Sequence, residues 1–288
     1  MMKRVLILGA AGMAGHVVYN TLKNSGKYVV TGTYNNTRFT DDLLFLDITV
    51  KDNLINLINQ VQPDIVVNCI GVLIKGSVNA PANAIYVNAY FPHFLEELLS
   101  KRTIKLIHIS TDCVFSGKLG NYVENSPKDA KDLYGQSKAL GEVTSGNHLT
   151  IRTSIVGPEL KNNGEGLFDW FMAQSGGVNG FINAFWGGVT TIELAKGIDR
   201  MIEQNLTGIY NYTNSEKISK YDLLNNFKII FGKDDVVLRK FENDFLDKSL
   251  IDTRKELKHP VPSYVEMVEE MYQYILENKS LYPNYVNR

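Results

Sequence analysis

A glycine-rich turn directly after a short apolar stretch is the feature that most restricts what this chain can fold into. Residues 4–8 are mostly apolar, and Gly9-Ala-Ala-Gly12-Met13-Ala-Gly15 follows at once. The pattern predicts a strand, a tight turn and a helix. Glycines at such a junction let the backbone approach a pyrophosphate, which the helix N-terminus attracts. We therefore expect Gly9, Gly12, Met13 and Gly15 to bind a dinucleotide, although their spacing is G-x-x-G-x-x-G and a plain strand–helix turn is the alternative.

Strand-like and helix-like stretches alternate along the first half of the chain. Apolar strands are predicted over 4–8, 28–33, 65–69, 104–109 and 149–156, and helices over 13–24, 53–61, 84–100 and the stretch opened by Tyr134. Continuous apolar strands indicate burial on both faces, and helices between them indicate right-handed βαβ units. The predicted fold class is α/β: a doubly wound parallel sheet of Rossmann type with a smaller, interleaved C-terminal substrate lobe.

The pattern changes after residue 157. Loops are predicted over 161–166 and 176–180, helices over 191–204, 221–231 and 263–278, strands over 208–212 and 236–240, and a frayed tail after Lys279. We expect residues 1–157, with a returning segment at about 188–215, to form a dinucleotide-binding domain. Residues 158–187 and 216–288 then form the substrate-binding lobe.

The composition argues against several kinds of partner. A net charge of -1 provides no basic surface for nucleic acid or an anionic membrane. No run approaches the ~18 apolar residues of a membrane span, and the first apolar run is too short for a signal peptide. Two cysteines make no disulfide framework, and the five histidines form no ligand cluster. We expect a cytoplasmic protein without a metal, and the oligomeric state stays open, with a homodimer as one outcome.

A second chemical signal lies between Ser110 and Glu142. Thr111 follows the predicted strand 104–109, and Tyr134 and Lys138 are four residues apart, so on a helix they share one face. A phenol beside an ammonium is a proton donor, and we expect the positive charge to lower its pKa. A strand-end hydroxyl could hold a carbonyl oxygen in front of that phenol. These residues are therefore candidates for reducing a ketone with a bound hydride donor.

The Tyr-x-x-x-Lys spacing is not specific by itself, because the chain contains 15 tyrosines. Tyr19 and Lys23 have the same spacing in the first predicted helix, where no strand-end hydroxyl precedes them, and we interpret that pair as structural. A solvated helix face is the corresponding alternative for Tyr134 and Lys138. His108 lies within an apolar strand, and we expect it to serve the core.

The end of the second strand bears on the choice of cofactor. An NAD site normally has an acid here for the ribose 2′-hydroxyl, whereas this chain has Asn35, Asn36 and Arg38 before its first acid, Asp41. Amides and an arginine suit a 2′-phosphate, so we expect NADP(H), with NAD(H) and a solvated Arg38 as alternatives. Asp47 could face the adenine amine or cap the next helix. The other expected cofactor contacts are Ile48, Cys69, Ile70, Gly71, Asn88, Tyr134 and Lys138.

The motifs, taken in order, carry a family resemblance. They are G-x-x-G-M-x-G from Gly9, N-C-I-G from Asn68, S-T-D-C-V-F-S-G from Ser110, Y-G-x-S-K-x-x-G-E from Tyr134 and R-T-S from Arg152. The set covers nearly the whole chain and resembles the dTDP-4-dehydrorhamnose reductase family of extended short-chain dehydrogenases/reductases. The resemblance implies a catalytic triad of Thr111, Tyr134 and Lys138. It also implies NADPH-dependent reduction of a nucleotide-linked 4-keto-6-deoxy sugar for cell-surface polysaccharide synthesis.

Two positions depart from the family's pattern. Cys113 stands where the rhamnose enzymes typically have Tyr, and the stretch around Lys75 replaces their Asp-Lys-Ala-Glu. Both positions should face the sugar. Lys75, Cys113 and Trp186, the last in a segment that resembles the family, are therefore candidate substrate residues, with core packing as the alternative for Cys113 and Trp186. Besides dTDP-4-dehydrorhamnose, a UDP-4-keto-6-deoxy-N-acetylhexosamine is a competing substrate.

Three other functions stay open on the same fold. A nucleotide-sugar 4,6-dehydratase uses an acid where Cys113 stands, which argues against that reaction. A 4-epimerase recycles a tightly held NAD, and the missing acid after the second strand argues against it. A non-catalytic NADP-binding regulatory subunit, such as that of methionine adenosyltransferase, needs no turnover, and the complete set of Thr111, Tyr134 and Lys138 argues against it.

Overall fold

A seven-stranded sheet forms the centre of the structure, a computed structural model that describes residues 2–161 and 164–286. The strands are β1 (Lys3–Leu8), β2 (Tyr28–Tyr34), β3 (Leu44–Phe45), β4 (Ile65–Asn68), β5 (Lys105–Thr111), β6 (Leu149–Thr153), β7 (Ile155–Val156), β8 (Gly176–Phe181), β9 (Ala184–Trp186), β10 (Val189–Thr190), β11 (Gly208–Asn211), β12 (Ile218–Ser219), β13 (Val236–Phe241) and β14 (Leu246–Asp247). The helices are α1 (Met13–Asn24), α2 (Lys51–Val61), α3 (Ile74–Asn79), α4 (Pro81–Ile85), α5 (Phe91–Ser100), α6 (Leu133–Leu140), α7 (Leu167–Met172), α8 (Thr191–Glu203), α9 (Lys220–Ile230), α10 (Tyr264–Glu277) and α11 (Pro283–Val286), with a π-helical turn at Tyr86–Tyr90 and a 3₁₀ turn at Asp112–Val114.

The strand order in the sheet is β11-β6-β5-β4-β1-β2-β3, and its pairings are parallel. From β1 the chain builds outward through β2 and β3, then crosses to β4 on the other side. This switch opens a crevice at the carboxyl ends of β1 and β4, where ligands bind in open α/β sheets. The predicted α/β fold of Rossmann type is confirmed, as is the return of the segment 208–212 to the sheet.

The central strand β1 is buried on both faces. Val5 and Ile7 belong to the larger hydrophobic core, whereas Leu6 and Leu8 belong to a second core on the opposite face. All four side chains have no exposed surface. This double burial explains why the strand reads as a continuous apolar run in the sequence.

The larger core continues from the sheet into the C-terminal part of the chain. It contains Phe168 of α7 and Met267 of α10 together with residues of β1 and α1. The predicted division into residues 1–157, 158–187 and 216–288 therefore runs through one continuous core. The division remains a prediction about function rather than a visible boundary.

The predicted loop at 176–180 is wrong, because these residues form β8. The strand pairs in parallel with β13, whose existence was predicted. Val178 and Gly180 are buried while their neighbours are exposed, which is the alternation of a half-buried strand. Pairing with a partner some sixty residues later overrides the turn-like composition. Asn162 and Asn163, in the predicted loop 161–166, lie outside the described residues.

The predicted helix 84–100 is interrupted by the π-helical turn, and the predicted strand 149–156 is divided into β6 and β7. Pro92 explains the first interruption. It has no N–H to donate to the carbonyl of Asn88 four residues earlier, so the regular helical ladder cannot continue there. Asn88 therefore lies in a turn of the kind that frequently occurs at functional sites.

Residues 281–285 are packed against the rest of the chain, so the prediction of a frayed tail after Lys279 is wrong for these residues. Tyr282 is 1% exposed, and its hydroxyl lies 2.6 Å from Nε2 of His16 in α1. The hydroxyl of Tyr285 donates to the carboxylate of Asp169 at 2.7 Å. Two tyrosines thus hold the tail against α1 and α7.

Candidate active site

The turn after β1 has the geometry that a pyrophosphate requires. Gly9 adopts a φ of 76°, and a Cβ on Gly15 would lie 2.1 Å from the carbonyl oxygen of Gly9. Side chains are therefore excluded where the turn meets the helix. No side chain caps α1 at Gly12 within the described residues, which leaves the first N–H groups of the helix free to bind a phosphate.

The turn after β4 packs beside the glycine turn. Asn68 accepts the N–H of Ile70 at 3.1 Å, and its amide donates to Nδ1 of His108, also at 3.1 Å. A Cβ on Gly9 would lie 2.8 Å from the side chain of Ile70, so the two turns meet across the crevice. Burial, assisted by Lys138, lowers the pKa of His108 well below its usual value. His108 is thus neutral and fully buried, which confirms the expected core role.

Asn88 joins the turn after β4 to helix α6. Its side chain accepts the N–H of Val72 at 2.9 Å and donates to the carbonyl of Val72 at 2.9 Å and to the hydroxyl of Ser137 at 3.2 Å. The side chain is fully buried. These three bonds show that Asn88 holds the backbone at Val72 and the side chain of Ser137, and its contact with a cofactor stays a prediction.

Arg38 lies on the surface beyond β2. Its guanidinium is 2.8 Å from the carboxylate of Asp41, and half of the Arg38 side chain is exposed. The amide of Asn35 donates to the carbonyl of Leu46 at 3.3 Å. Both residues therefore lie at the rim of the crevice, where the ribose 2′-position of a dinucleotide is expected.

Asp47 closes a turn instead of capping α2. Its carboxylate accepts the N–H of Thr49 at 2.9 Å and the hydroxyl of the same residue at 2.7 Å. Helix α2 begins after Val50, which provides no side-chain cap. The neighbouring carbonyl of Ile48 accepts the hydroxyl of Tyr86 at 2.8 Å, so this edge of the crevice is braced by the π-helical turn.

Helix α6 begins at Leu133, so Tyr134 lies in its first turn. Asp132 caps the helix by accepting the N–H of Gly135 at 2.9 Å. A Cβ on Gly135 would lie 2.2 Å from the carbonyl oxygen of Cys113, so only glycine allows the helix to approach the end of β5 so closely. The side chain of Tyr134 consequently lies beside Thr111 at the end of β5. The structure thus brings together two of the three predicted catalytic residues.

The pKa of Tyr134 is raised, whereas the sequence predicted a lowered value. Burial is the main cause, and the neighbouring Thr111 acts in the opposite direction. The ammonium of Lys138 donates to the carbonyl of Ile109 at 2.6 Å. The phenol therefore keeps its proton at neutral pH, as a general acid requires.

Lys138 is buried beside the ends of β4 and β5. Burial lowers its pKa to about 8, against the opposing effect of the Glu142 carboxylate. Burial also raises the pKa of the Cys69 thiol to about 12, so this cysteine is neutral. Cys69, a predicted cofactor contact, and Lys138, a predicted catalytic residue, therefore lie close together in the same buried region.

A buried ion pair supports the site from behind. Arg152 donates from Nε and Nη2 to the two carboxylate oxygens of Glu142, at 2.9 and 2.8 Å. Ser110, directly before Thr111, donates to the same carboxylate at 2.8 Å. The pair thus ties β5, β6 and the end of α6 together. Glu142 and Arg152 appeared in the sequence motifs, but the sequence provided no role for them.

The three candidate substrate residues have different surroundings. Cys113 is half-buried and donates its N–H to the hydroxyl of Thr111 at 3.1 Å. Lys75 is exposed on α3, which packs against α6. Trp186 is 6% exposed and packs against the ring of Tyr264 at 5.6 Å. The structure therefore brings Cys113 to the catalytic residues and favours the core-packing alternative for Trp186.

Lys248 is a residue of this site that sequence reasoning missed. It follows β14, and its ammonium lies near Cys113, Asp112 and Asp132. A lone lysine between an aspartate and a serine carries no recognisable motif. Its position could be found only after the chain had folded.

No group of three or more His, Cys, Asp or Glu side chains in residues 2–161 and 164–286 is arranged to hold a metal ion. Over the same residues, no helix has the length and apolar character needed to cross a membrane.

A dinucleotide crevice with a tyrosine and a lysine one helical turn apart, facing a strand-end hydroxyl, defines a short-chain dehydrogenase/reductase. Within this class the resemblance noted from the motifs is confirmed. The family model described as "RmlD substrate binding domain" matches residues 2–235, and the chain belongs to that family.

Individual relatives agree with this assignment. The chain is 28% identical over 255 residues to a dTDP-4-dehydrorhamnose reductase of Aggregatibacter actinomycetemcomitans, covering 84% of this chain and 82% of the relative. It is also 28% identical over 237 residues to methionine adenosyltransferase 2 subunit beta of Danio rerio, covering 77% and 72%. The structure of dTDP-4-dehydrorhamnose reductase from Bacillus anthracis in complex with NADP has the same fold, with a TM-score of 0.80 at 20% identity and coverages of 95% and 100%.

Proposed function

We propose that this protein reduces the 4-keto group of a nucleotide-linked 4-keto-6-deoxy sugar with NADPH. The observation that carries the proposal is the close approach of α6 to the end of β5 at Gly135 and Cys113, which places Tyr134 beside Thr111. That end of the sheet borders the crevice in which a dinucleotide would lie. The reaction is proposed to supply cell-surface polysaccharide synthesis in the cytoplasm, by a monomer or a homodimer.

In the proposed mechanism Tyr134, Thr111 and Lys138 each have a separate role. The nicotinamide, when bound, supplies a hydride to the carbonyl carbon. Tyr134 donates its proton to the carbonyl oxygen as that oxygen gains charge. Thr111 donates a hydrogen bond to the same oxygen and stabilises the developing charge. Lys138 binds the nicotinamide ribose hydroxyls, and its ammonium stabilises the phenolate that Tyr134 leaves behind.

The choice of NADPH rests on the residues beyond β2. Arg38 and Asn35 lie at the rim, and the carboxylate that would accept a ribose 2′-hydroxyl is missing from the end of the strand. The Bacillus anthracis enzyme of the same fold was solved with NADP. NADH is proposed as a second hydride donor, because the guanidinium of Arg38 is already paired with the carboxylate of Asp41 and is less available to a 2′-phosphate.

Two nucleotide sugars are proposed as substrates. The relative from Aggregatibacter actinomycetemcomitans is named for dTDP-4-dehydrorhamnose. Cys113 and the stretch around Lys75 differ from the family's usual residues, and both adjoin the site. A UDP-4-keto-6-deoxy-N-acetylhexosamine is therefore the second proposed substrate.

A regulatory role is the second candidate function. The relative from Danio rerio is a subunit of methionine adenosyltransferase, and the resemblance covers three quarters of this chain. Such a subunit would bind NADP without needing Tyr134. The contact between Tyr134 and Thr111 favours catalysis, since a binding subunit has no need of a proton donor at this position.

The test is a panel of dTDP-, UDP- and GDP-linked 4-keto-6-deoxy sugars incubated with NADPH. Turnover is followed at the nicotinamide absorbance, and the product is identified by mass spectrometry and NMR. We expect reduction at C4 with at least one dTDP- or UDP-linked sugar. Tight NADPH binding without oxidation by any sugar in the panel would contradict the reductase and support the regulatory subunit.

A further inference from the structure

The end of β14 and the residues directly after it are hydrogen-bonded to the loop that follows β5, the strand that ends at Thr111. Asp247 donates its N–H to the carbonyl of Gly117 at 2.7 Å, and Ser249 accepts the N–H of Tyr122 at 2.8 Å. The side chains of Asp247 and Ser249 are fully buried, at 0% and 1% exposure. The backbone at residue 248 is therefore held in place from both sides.

Lys248 projects from this fastened backbone toward the active site. Its stem passes beside Gly117, where an added Cβ would lie 3.0 Å from Cγ of the lysine. The side chain is half-buried, and its ammonium reaches the thiol of Cys113. Asp112 and Asp132 are near enough to attract it, but within the described residues no carboxylate lies at ion-pair distance from it. By contrast, Lys217 of the same lobe is paired with Asp247 at 2.7 Å.

A thiol is a poor partner for a half-buried ammonium. Sulfur accepts hydrogen bonds weakly, whereas an ammonium has three strong donors. Burial raises the pKa of the Cys113 thiol to about 12, so the thiol is uncharged and provides no ion pair. A substrate oxygen that replaced water at Lys248 would therefore gain a charge-assisted hydrogen bond.

The place of Lys248 relative to the reacting carbonyl follows from Cys113. The N–H of Cys113 donates to the hydroxyl of Thr111, which is proposed to hold the oxygen on C4. The ammonium of Lys248, beside Cys113, therefore lies next to the place proposed for that oxygen. Substituents on a ring carbon adjacent to C4 would lie in the same region. In a 4-keto-6-deoxy pyranose C5 carries the ring oxygen and a methyl group, so the hydroxyl next to C4 is on C3.

We propose that Lys248 is a substrate-binding residue that donates a hydrogen bond to the oxygen on C3 of the sugar. The inference rests on the proposed function and adds to it a selection for substrates with an oxygen at that carbon. The contact also orients the ring, because it fixes a second point next to the carbonyl held by Thr111 and Tyr134.

The test compares Lys248→Met with wild-type protein on a pair of 4-keto sugars with and without the C3 hydroxyl. Methionine keeps a stem of similar length beside Gly117 and removes the charge and the donors. We expect KM for the hydroxylated sugar to rise about 10- to 100-fold, which is typical for one hydrogen bond to a charged group. NADPH affinity should not change, and the 3-deoxy sugar should show little difference between the two proteins. Lys240→Met, at an exposed lysine of the same lobe, is the matched control.

Two results would overturn the inference while leaving the reductase intact. One is an unchanged KM in Lys248→Met, and the other is an equal loss with and without the C3 hydroxyl. If wild-type protein reduces none of the sugars, the proposed function fails, and binding of the same sugars to NADP⁺-loaded protein is measured by calorimetry. Weaker binding to Lys248→Met would still support the contact, whereas equal binding, or none, would refute it.

Discussion

The ammonium of Lys138 lies 2.6 Å from the carbonyl oxygen of Ile109, two residues before Thr111 on the same strand. This contact orients the lysine from the sheet side of the crevice. It also explains how a cation can be buried here, because the carbonyl satisfies one of its donors. The remaining donors are available to the ribose hydroxyls that the proposed mechanism assigns to them.

The affinity for NADPH should therefore depend on the protonation of Lys138. Burial lowers its pKa to about 8, so the ammonium loses its proton as the pH rises through that value. We expect the dissociation constant of NADPH to rise above pH of about 8, measured by fluorescence titration of the free protein. Lys138→Arg keeps its charge at alkaline pH and should remove this dependence. A flat profile in the wild-type protein would show that the charge of Lys138 does not contribute to binding.

Tyr134→Phe should abolish most turnover while leaving the fold and NADPH affinity nearly unchanged. The change removes one hydroxyl, and general acid catalysis is typically worth about 10²–10⁴-fold in rate. The measurement is kcat on the best sugar of the panel. Tyr19→Phe is the matched control, because Tyr19 has the same spacing to its lysine but its hydroxyl accepts a hydrogen bond from Lys23 in α1, at 3.1 Å. A Tyr134→Phe protein with most of the wild-type rate would refute the catalytic assignment.

Arg38→Ala should weaken NADPH more than NADH. A hydrogen bond to a charged group is worth about 1.5–3 kcal/mol, and only NADPH offers the 2′-phosphate. Asp41→Asn provides the opposite test, because it removes the carboxylate that now holds the guanidinium at 2.8 Å. That variant should bind NADPH at least as well as wild type. Equal losses for both cofactors in Arg38→Ala would remove Arg38 from the phosphate site.

Glu142→Gln should destabilise the protein strongly. Arg152 is 1% exposed and would be left as a buried charge without its carboxylate, a change that costs about 3–5 kcal/mol in comparable pairs. Burial raises the pKa of Glu142, but the hydrogen bonds and charge of Arg152 outweigh it and the net value is lowered. The stabilisation is therefore present above the pKa of an unfolded glutamate and is lost as the pH falls through the lower folded value.

Chemical denaturation of the wild-type protein and Glu142→Gln at neutral and acidic pH measures this difference. The gap between the two unfolding free energies should narrow as the pH falls. A gap that is small at neutral pH would mean that the pair adds little to stability.

Tyr282→Phe should weaken the attachment of the C-terminal tail to α1. Burial lowers the pKa of His16 to about 4, so the ring is neutral at pH 7. Its Nδ1 faces the carbonyl of Gly12 at 2.9 Å and must donate, so Nε2 accepts from Tyr282. Losing this bond should cost about 0.5–1.5 kcal/mol and loosen the glycine turn, seen as a lower Tm and weaker NADPH binding.

Tyr285→Phe is the control for the tail, because its hydroxyl meets Asp169 in α7 instead of α1. It should lower Tm without changing NADPH affinity. If Tyr282→Phe and Tyr285→Phe behaved alike toward NADPH, the tail would have no specific connection to the glycine turn.

The sequence by itself determined the elements that depend on neighbouring residues. Helix α1 begins at Met13 and ends at Asn24, as its pattern predicted, because helical periodicity and the glycine turn are local features. The order of strands and helices likewise determined the parallel sheet, since few topologies accommodate right-handed βαβ units. The spacing of Tyr134 and Lys138 was local as well, so the catalytic helix was recognisable before its surroundings were known.

Only the tertiary structure decided what depends on distant groups. The raised pKa of Tyr134 comes from burial, which the positions of Tyr134 and Lys138 in the sequence do not specify. Lys248 reaches Cys113 because the loop at Gly117 fastens β14, and Tyr282 reaches His16 across most of the chain. Burial and electrostatic interactions depend on distance through space, and a single sequence specifies that distance only for residues close along the chain.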